Sequence, residues 1–299
     1  MKYIKLVGTL KQQTKILIFN VYDRYIKHIY RRIIVNPRLK EIIEAIVSEL
    51  RVILEHNFDP VHMIFIETIT ACNLRCPYCP NSIYDRGLIK NMKKMETKLF
   101  HKIIDELSEL KWVGEIQPHS YGEPLLDDRI IDLIEYAKKK IPGLIINFFT
   151  NGELLNVSLY KQLTKAGVNK FTVTQHLPTP AKGVLEVLDY RKKFGSENVG
   201  FRYGKITYIF NRSGLISVED GVKKTKCNWP SHNIGISYDG SVLICCHDYL
   251  NEVKVGNVND ERLIDIWNKP LYKKIRKDIA KGRFTFDLCK RCLEGKVTT

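Results

Sequence analysis

From residue 61 onward the hydrophobic positions switch back and forth between two periods. Val61–Thr68 is rich in β-branched and apolar residues and reads as a strand. Thr97–Leu110 carries Leu99, Phe100, Ile103, Ile104, Leu107 and Leu110 at three- and four-residue steps, which is one face of a helix. The series continues with a strand near Val113–Ser120 and a helix over Asp127–Lys140, its Ile130, Ile131, Leu133, Ile134 and Ala137 inward. Next come a strand at Leu144–Thr150, a helix at Val157–Ala166 and a strand at Lys170–Gln175. A helix near Ala181–Lys193 and a strand near Asn198–Tyr203 complete it. Alternating β and α elements predict a parallel sheet covered by helices. Five or six such units suit an α/β fold of the partial, TIM-like (β/α)6 barrel kind. In barrels the chemistry sits on loops at the C-terminal ends of the strands.

The two ends of the chain break this pattern. Residues 1–60 read as a helical, basic extension. Residues 2–33 hold eight Lys or Arg and one acid, Asp23, among Ile16, Ile18, Phe19, Tyr22, Ile26, Ile29 and Tyr30. Such a stretch either packs on its own domain or makes peripheral contact with an anionic membrane surface. After residue 226, Ile234, Ile236 and Tyr238 alternate, Asp239-Gly240 signals a turn, and Val242 and Ile244 alternate again, so a β-hairpin is predicted. One helix, Ile264 to Ala280, follows it. The expected divisions are therefore 1–60, 61–226 and 227–299.

Composition narrows the class. Of 299 residues, 44% are hydrophobic and 27% charged, which is ordinary for a folded soluble chain. No apolar run approaches the roughly 20 residues of a membrane span, and Leu6–Leu10 is too short for a signal peptide, so a cytoplasmic protein is expected. The net charge of +15 fits a solvated basic surface or an anionic partner such as a phosphorylated substrate. No nucleic-acid-binding signature is present, and no nucleic-acid partner is expected.

The eight cysteines fall into two groups, which points to metal binding rather than disulfides. Cys72, Cys76 and Cys79 lie within eight residues, just after the first strand. Structural zinc wants four closed ligands, and no fourth Cys or His is near. A [4Fe–4S] cluster on three thiolates keeps one iron open. An aromatic residue beside the last of them, Tyr78, would shield it.

The C-x₃-C-x₂-C spacing after the first strand of a β/α repeat resembles the radical S-adenosylmethionine (SAM) superfamily. That resemblance implies SAM chelated by the open iron and cleaved to a 5′-deoxyadenosyl radical, which abstracts a hydrogen atom. It also implies a reducing electron donor such as flavodoxin or ferredoxin. Gly122-Glu123 after the second strand matches the family's motif for the SAM amino group. Thr150-Asn151-Gly152 matches the turn found near the cofactor. Arg202 on a later strand is the candidate partner of the SAM carboxylate. Thr174-Gln175-His176 departs from the family's usual ribose-contacting pattern. Gln117, His119 and His176 are placed to face the barrel mouth.

The second group, Cys227, Cys245, Cys289 and Cys292, resembles the SPASM/twitch extension of the same superfamily. The chain ends seven residues after Cys292, so the resemblance implies a shortened form with one auxiliary [4Fe–4S] cluster, two clusters in all. A four-Cys zinc site has the same ligand count. Cys245 and Cys246 adjoin on the predicted strand and are expected on opposite faces. Cys246 then reads as a core residue or as a hydrogen-atom donor to a substrate radical.

The expected function is hydrogen abstraction from a small polar molecule such as a sugar, aminosugar or nucleotide-sugar, ending in dehydrogenation or epimerisation. Maturation of a ribosomal peptide is the alternative. Residues 1–60 are too short for the recognition domain of such enzymes. A non-catalytic iron–sulfur scaffold or electron carrier is the third reading, and the Gly122-Glu123 pair argues against it.

Overall fold

The computed structural model describes residues 61–195, 199–206, 209–218 and 225–294. The chain divides into two units, Met1–Glu55 and His56–Thr299, and every described residue lies in the second. The basic stretch 2–33, with its expected membrane contact, lies outside the described residues. Among those described, no helix is long and apolar enough to cross a membrane.

Strands β1 (Met63–Ile66), β2 (Glu115–Gln117), β3 (Ile145–Thr150), β4 (Lys170–Gln175) and β5 (Gly200–Lys205) run parallel. Helices α1 (Thr97–Glu109), α2 (Ile130–Lys140), α3 (Val157–Ala166) and α4 (Lys182–Phe194) connect them. Each helix turns its apolar stripe to the sheet, and α1 buries Leu99, Phe100, Ile103, Ile104 and Leu107. Asn156 caps α3 by accepting from Leu159 N, and Gly167 at φ 114° ends it in the left-handed region.

The sheet continues past β1. A short helix, α5 (Trp229–His232), leads into β6 (Asn233–Ile236), which pairs parallel with β1. Strands β7 (Ser241–Leu243) and β8 (Lys254–Asn257) then add antiparallel. The order is β5-β4-β3-β2-β1-β6-β7-β8. The first arm of the predicted hairpin is thus the sixth parallel strand of the half-barrel. Ile64, Ile66, Ile116, Ile146, Phe148, Phe171, Val173, Ile234 and Ile236 face the helices and are buried. Strand alternation and register put Glu115, Gln117, Asn147, Phe149, Thr172, Thr174 and Arg202 on the opposite, concave face.

Two expectations are corrected. The single helix 264–280 is two helices, α6 (Leu263–Asn268) and α7 (Pro270–Ala280). Pro270 excludes Lys269 from the α region, and Lys269 is extended at φ −51°, ψ 133°. Strand β7 ends at Leu243, so Cys245 and Cys246 lie in the turn beyond it and strand alternation does not separate them. The last helix, α8 (Asp287–Glu294), carries Cys289 and Cys292.

Candidate active site

Cys72, Cys76 and Cys79 leave β1 on one loop, each partly buried. Cys79 N donates to Cys76 O at 2.9 Å, and Leu74 N donates to Cys72 Sγ at 3.4 Å. Burial pushes the Cys72 thiol up to about 11, and the negative charge of Glu123, Cys79 and Cys76 adds to the rise. Burial also raises Cys76 and Cys79. Three thiols within reach of one another's charge resist ionising together; a bound cationic centre reverses that preference. The donor set fits a cluster held through three of its irons.

The ends of β2 and β3 close around this loop. Gly122 N-terminal to Glu123 lies against the loop backbone: a Cβ there would stand 2.0 Å from Ile69 O. Glu123 is buried and accepts from Leu125 N at 3.2 Å, Thr150 Oγ1 at 2.7 Å and Asn151 N at 2.8 Å. Burial outweighs those bonds and pushes its carboxyl up to about 7. Asn151 Nδ2 then donates to Asn73 Oδ1 at 2.8 Å and approaches Cys72 Sγ at 3.8 Å. The sequence-predicted Glu123, Thr150 and Asn151 thus form one hydrogen-bonded set with the cysteine loop, and Gly122 packs against that loop's backbone.

Arg202 is not part of that set. It is exposed on the concave face beside Thr172, and no described hydrogen bond links it to Glu123 or Asn151. Tyr78 packs beside Cys76 and shares a 2.9 Å hydrogen bond with His176 Nδ1. His119 stacks on Phe149 with ring centroids 4.6 Å apart. Burial, with the charge of Arg212 adding, pulls His119 down to about 4 and also lowers His176, so both imidazoles are neutral near pH 7. Gln117 turns instead to Glu115 Oε1, at 2.6 Å.

Cys227, Cys245, Cys289 and Cys292 converge at the other site. Burial pushes Cys289 up to about 12, and Cys245, Cys292 and Cys227 all add to that rise through their charge. Cys227 N donates to Ile279 O at 3.3 Å, and His247 N to Cys245 Sγ at 3.3 Å. Four thiols from three segments fit one four-iron cluster with every iron ligated. The neighbouring Cys245 thiol holds Cys246 below the usual thiol range against burial, with the charge of Arg212 adding to the effect.

Several residues here carry no mark in the sequence. Glu67, at the end of β1, pairs with Arg86 at 2.5 Å and accepts from Ser237 Oγ at 3.0 Å. Arg86 Nη1 donates to Tyr249 O at 2.7 Å, and Tyr249 Oη donates to Asn81 Oδ1 at 2.9 Å. This network ties the first cysteine loop to the segment after β7. Arg212 is the other omission. It has neither a motif nor a periodic position, and only tertiary structure brings it over Tyr121.

A half-barrel with three thiols after its first strand, and four more gathered from segments on either side of its sixth, defines an iron–sulfur protein of the α/β class. Comparison with known proteins supplies the family. Residues 66–200 match the model of the radical SAM superfamily, and residues 227–293 match SPASM, an iron–sulfur cluster-binding domain. The chain is 32% identical over 242 residues to the S-adenosyl-L-methionine-dependent 2-deoxy-scyllo-inosamine dehydrogenase of Niallia circulans, covering 79% of this chain and 94% of that one. It is 27% identical over 218 residues to the FeMo cofactor biosynthesis protein NifB of Methanocaldococcus jannaschii, covering 70% and 63%. The crystal structure of BtrN in complex with AdoMet and 2-DOIA superposes with a TM-score of 0.70 at 30% identity, over 80% of this chain and 95% of that one. The chain belongs to the radical SAM superfamily and carries its SPASM extension. It is an enzyme that holds [4Fe–4S] clusters and binds SAM.

Proposed function

We propose that this enzyme oxidises a carbinol carbon of a small polyhydroxylated substrate, an aminocyclitol or sugar. The observation that carries this is the similarity to the 2-deoxy-scyllo-inosamine dehydrogenase, which runs through 94% of that protein and 79% of this chain. Bound in place, the first cluster and SAM supply a 5′-deoxyadenosyl radical, and the auxiliary cluster supplies an electron acceptor. The substrate gives up one hydrogen atom from carbon, one proton from its hydroxyl and one electron, which leaves a carbonyl.

The residues divide the work between the expected core, 61–226, and the auxiliary part, 227–299. Cys72, Cys76 and Cys79 hold the SAM-cleaving cluster; Cys227, Cys245, Cys289 and Cys292 hold the auxiliary one. Gly122 lets the backbone of the first cysteine loop pass close by, and Glu123, Thr150 and Asn151 present oxygens and N–H groups to the cofactor. Tyr78 covers the cluster and holds His176 in place. Arg202, on the concave face, is free to meet the SAM carboxylate. His176, neutral near pH 7 and held by Tyr78, is the candidate proton acceptor, and His119, held down to about 4, stays neutral against Phe149. Flavodoxin or ferredoxin is the fitting class of reductant.

Anaerobic reconstitution with SAM, dithionite and a panel of carbinol-deuterated aminocyclitols, aminosugars, sugar acids and sugar phosphates tests the reading. Deuterium is expected in 5′-deoxyadenosine and a carbonyl in the product. Formation of only unlabelled 5′-deoxyadenosine with the whole panel would sink it. A second reading, epimerisation, is favoured by the position of Cys246 beyond the strand, near Arg212 and Tyr121. A thiol donor would put solvent deuterium on the product carbon. A Cys246→Ala variant that keeps both clusters and full product formation excludes it.

A further inference from the structure

Arg212 sits in a turn built at some expense. Arg212 (φ 48°), Ser213 (φ 55°) and Gly214 (φ 83°) are three successive residues in the left-handed region, two of them with side chains that disfavour it. The surrounding structure holds the turn there. Asn211 Nδ2 donates to Arg291 O at 2.8 Å and to Cys292 O at 3.3 Å, and Arg291 Nε donates back to Ser213 O at 2.9 Å. The turn is thus clamped to the helix that carries two auxiliary thiols.

What the turn achieves is to aim one guanidinium into the barrel mouth. It lies 5.6 Å from the Tyr121 ring centroid and 5.7 Å from that of Phe210. Its positive charge is felt at Cys79, His119, His176 and Cys246, which come from four different segments. Its Nε is buried without a hydrogen-bond partner, and no described carboxylate pairs with it. Elsewhere two partly buried guanidinium groups have carboxylate partners, Arg86 with Glu67 and Arg129 with Asp127, and Arg191 and Arg276 donate to carbonyl or hydroxyl oxygens instead. The acids near the mouth are engaged: Glu123 by Thr150 and Asn151, and Glu67 by Arg86.

We propose that Arg212 is the seat of an anionic group on the substrate, a carboxylate or a phosphate, so that this site takes an acidic sugar or a sugar phosphate. A partly buried guanidinium whose Nε lacks a partner is open to an oxyanion, which answers it with a charge-assisted, bidentate contact. The inference rests on the radical-oxidation reading for the location of the substrate. It concerns the charge of the ligand, which that reading leaves open. The net charge of +15 favours the approach of such a ligand.

The test is a titration of the full-length, anaerobically reconstituted, SAM-saturated protein with inorganic phosphate. One site is expected in the wild type, weakened about tenfold in Arg212→Gln and only partly in Arg212→Lys, which keeps the charge but not the fork. SAM affinity and iron content are expected to hold in both variants. Replacing phosphate with acetate tells a phosphate seat from a carboxylate seat. The proposal is overturned if the wild type binds neither anion, if the variants bind them equally well, or if SAM affinity or cluster loading falls instead. In that last case the guanidinium serves the cofactors. A failure of the deuterium-transfer experiment leaves this titration readable, so the two claims fall separately.

Discussion

Glu123 carries two properties that its motif alone does not predict. It is a buried acid, and its three hydrogen-bond donors come from its own turn and from the end of β3. Its pKa, raised from 4.5 to about 7, means that the native state holds a proton the unfolded chain releases. Stability of the cofactor-free protein therefore falls as pH rises from about 4.5 to about 7, by about 3 kcal/mol in the limit. Glu123→Gln should flatten that slope in thermal melts run across this window. It should also cost about 1–3 kcal/mol, because an amide N–H then faces donors. Gly122 gives a sharper case. A Cβ would meet backbone atoms, Ile69 O at 2.0 Å and Ala71 O at 3.1 Å, and backbone cannot step aside as a flexible side chain can. Gly122→Ala should displace the first cysteine loop and leave the auxiliary site intact. Iron analysis should then read about half the wild-type content, and full iron content would refute the role given to this glycine.

At the scale of elements, what was legible followed the range of the force that sets it. Helix α1 could be read from Leu99, Ile103 and Leu107 because the 3.6 period is local. The cysteine spacing was legible because one loop holds its whole ligand set. The pairing of β6 with β1 was not, because the partners Phe65 and Gly235 are far apart in sequence and only the sheet joins them. The opposite-face argument for Cys245 and Cys246 failed because β7 stops at Leu243, a hydrogen-bonding fact rather than a compositional one. Pro270 was visible, yet the helical period ran across it. Arg86 and Glu67 show what such non-local contacts contribute. Their pair links the first cysteine loop to Ser237 and Tyr249. Arg86→Met leaves Glu67, 1% exposed, without its cation. A loss of about 3–5 kcal/mol in denaturant unfolding at pH 7 is expected. It should shrink at low pH, where Glu67 takes up a proton, and also in the Glu67→Gln/Arg86→Met double variant. Equal losses at both pH values would show that the pair acts through packing alone.

For the whole molecule, the question is how two cysteine groups so far apart in sequence come to be held in one frame. One continuous sheet answers it. Strand β1 carries the first cysteine loop and is hydrogen-bonded to β2 on one side and β6 on the other. The segment after β7 returns to that loop through Tyr249, and the turn of Arg212 is clamped to the helix bearing Cys289 and Cys292. The auxiliary site is thereby built into the frame that positions the mouth, so its loss should uncouple the reaction rather than silence it. Cys289→Ala removes one of four converging thiols and leaves Cys72, Cys76 and Cys79 untouched. Iron should fall by about half, and 5′-deoxyadenosine should still form from SAM. The carbonyl product should be lost, because the substrate radical no longer has an acceptor for its electron. Product analysis beside 5′-deoxyadenosine counting checks this. An unchanged ratio of product to 5′-deoxyadenosine would show that the electron leaves by another route, and would return the auxiliary cluster to a purely structural role.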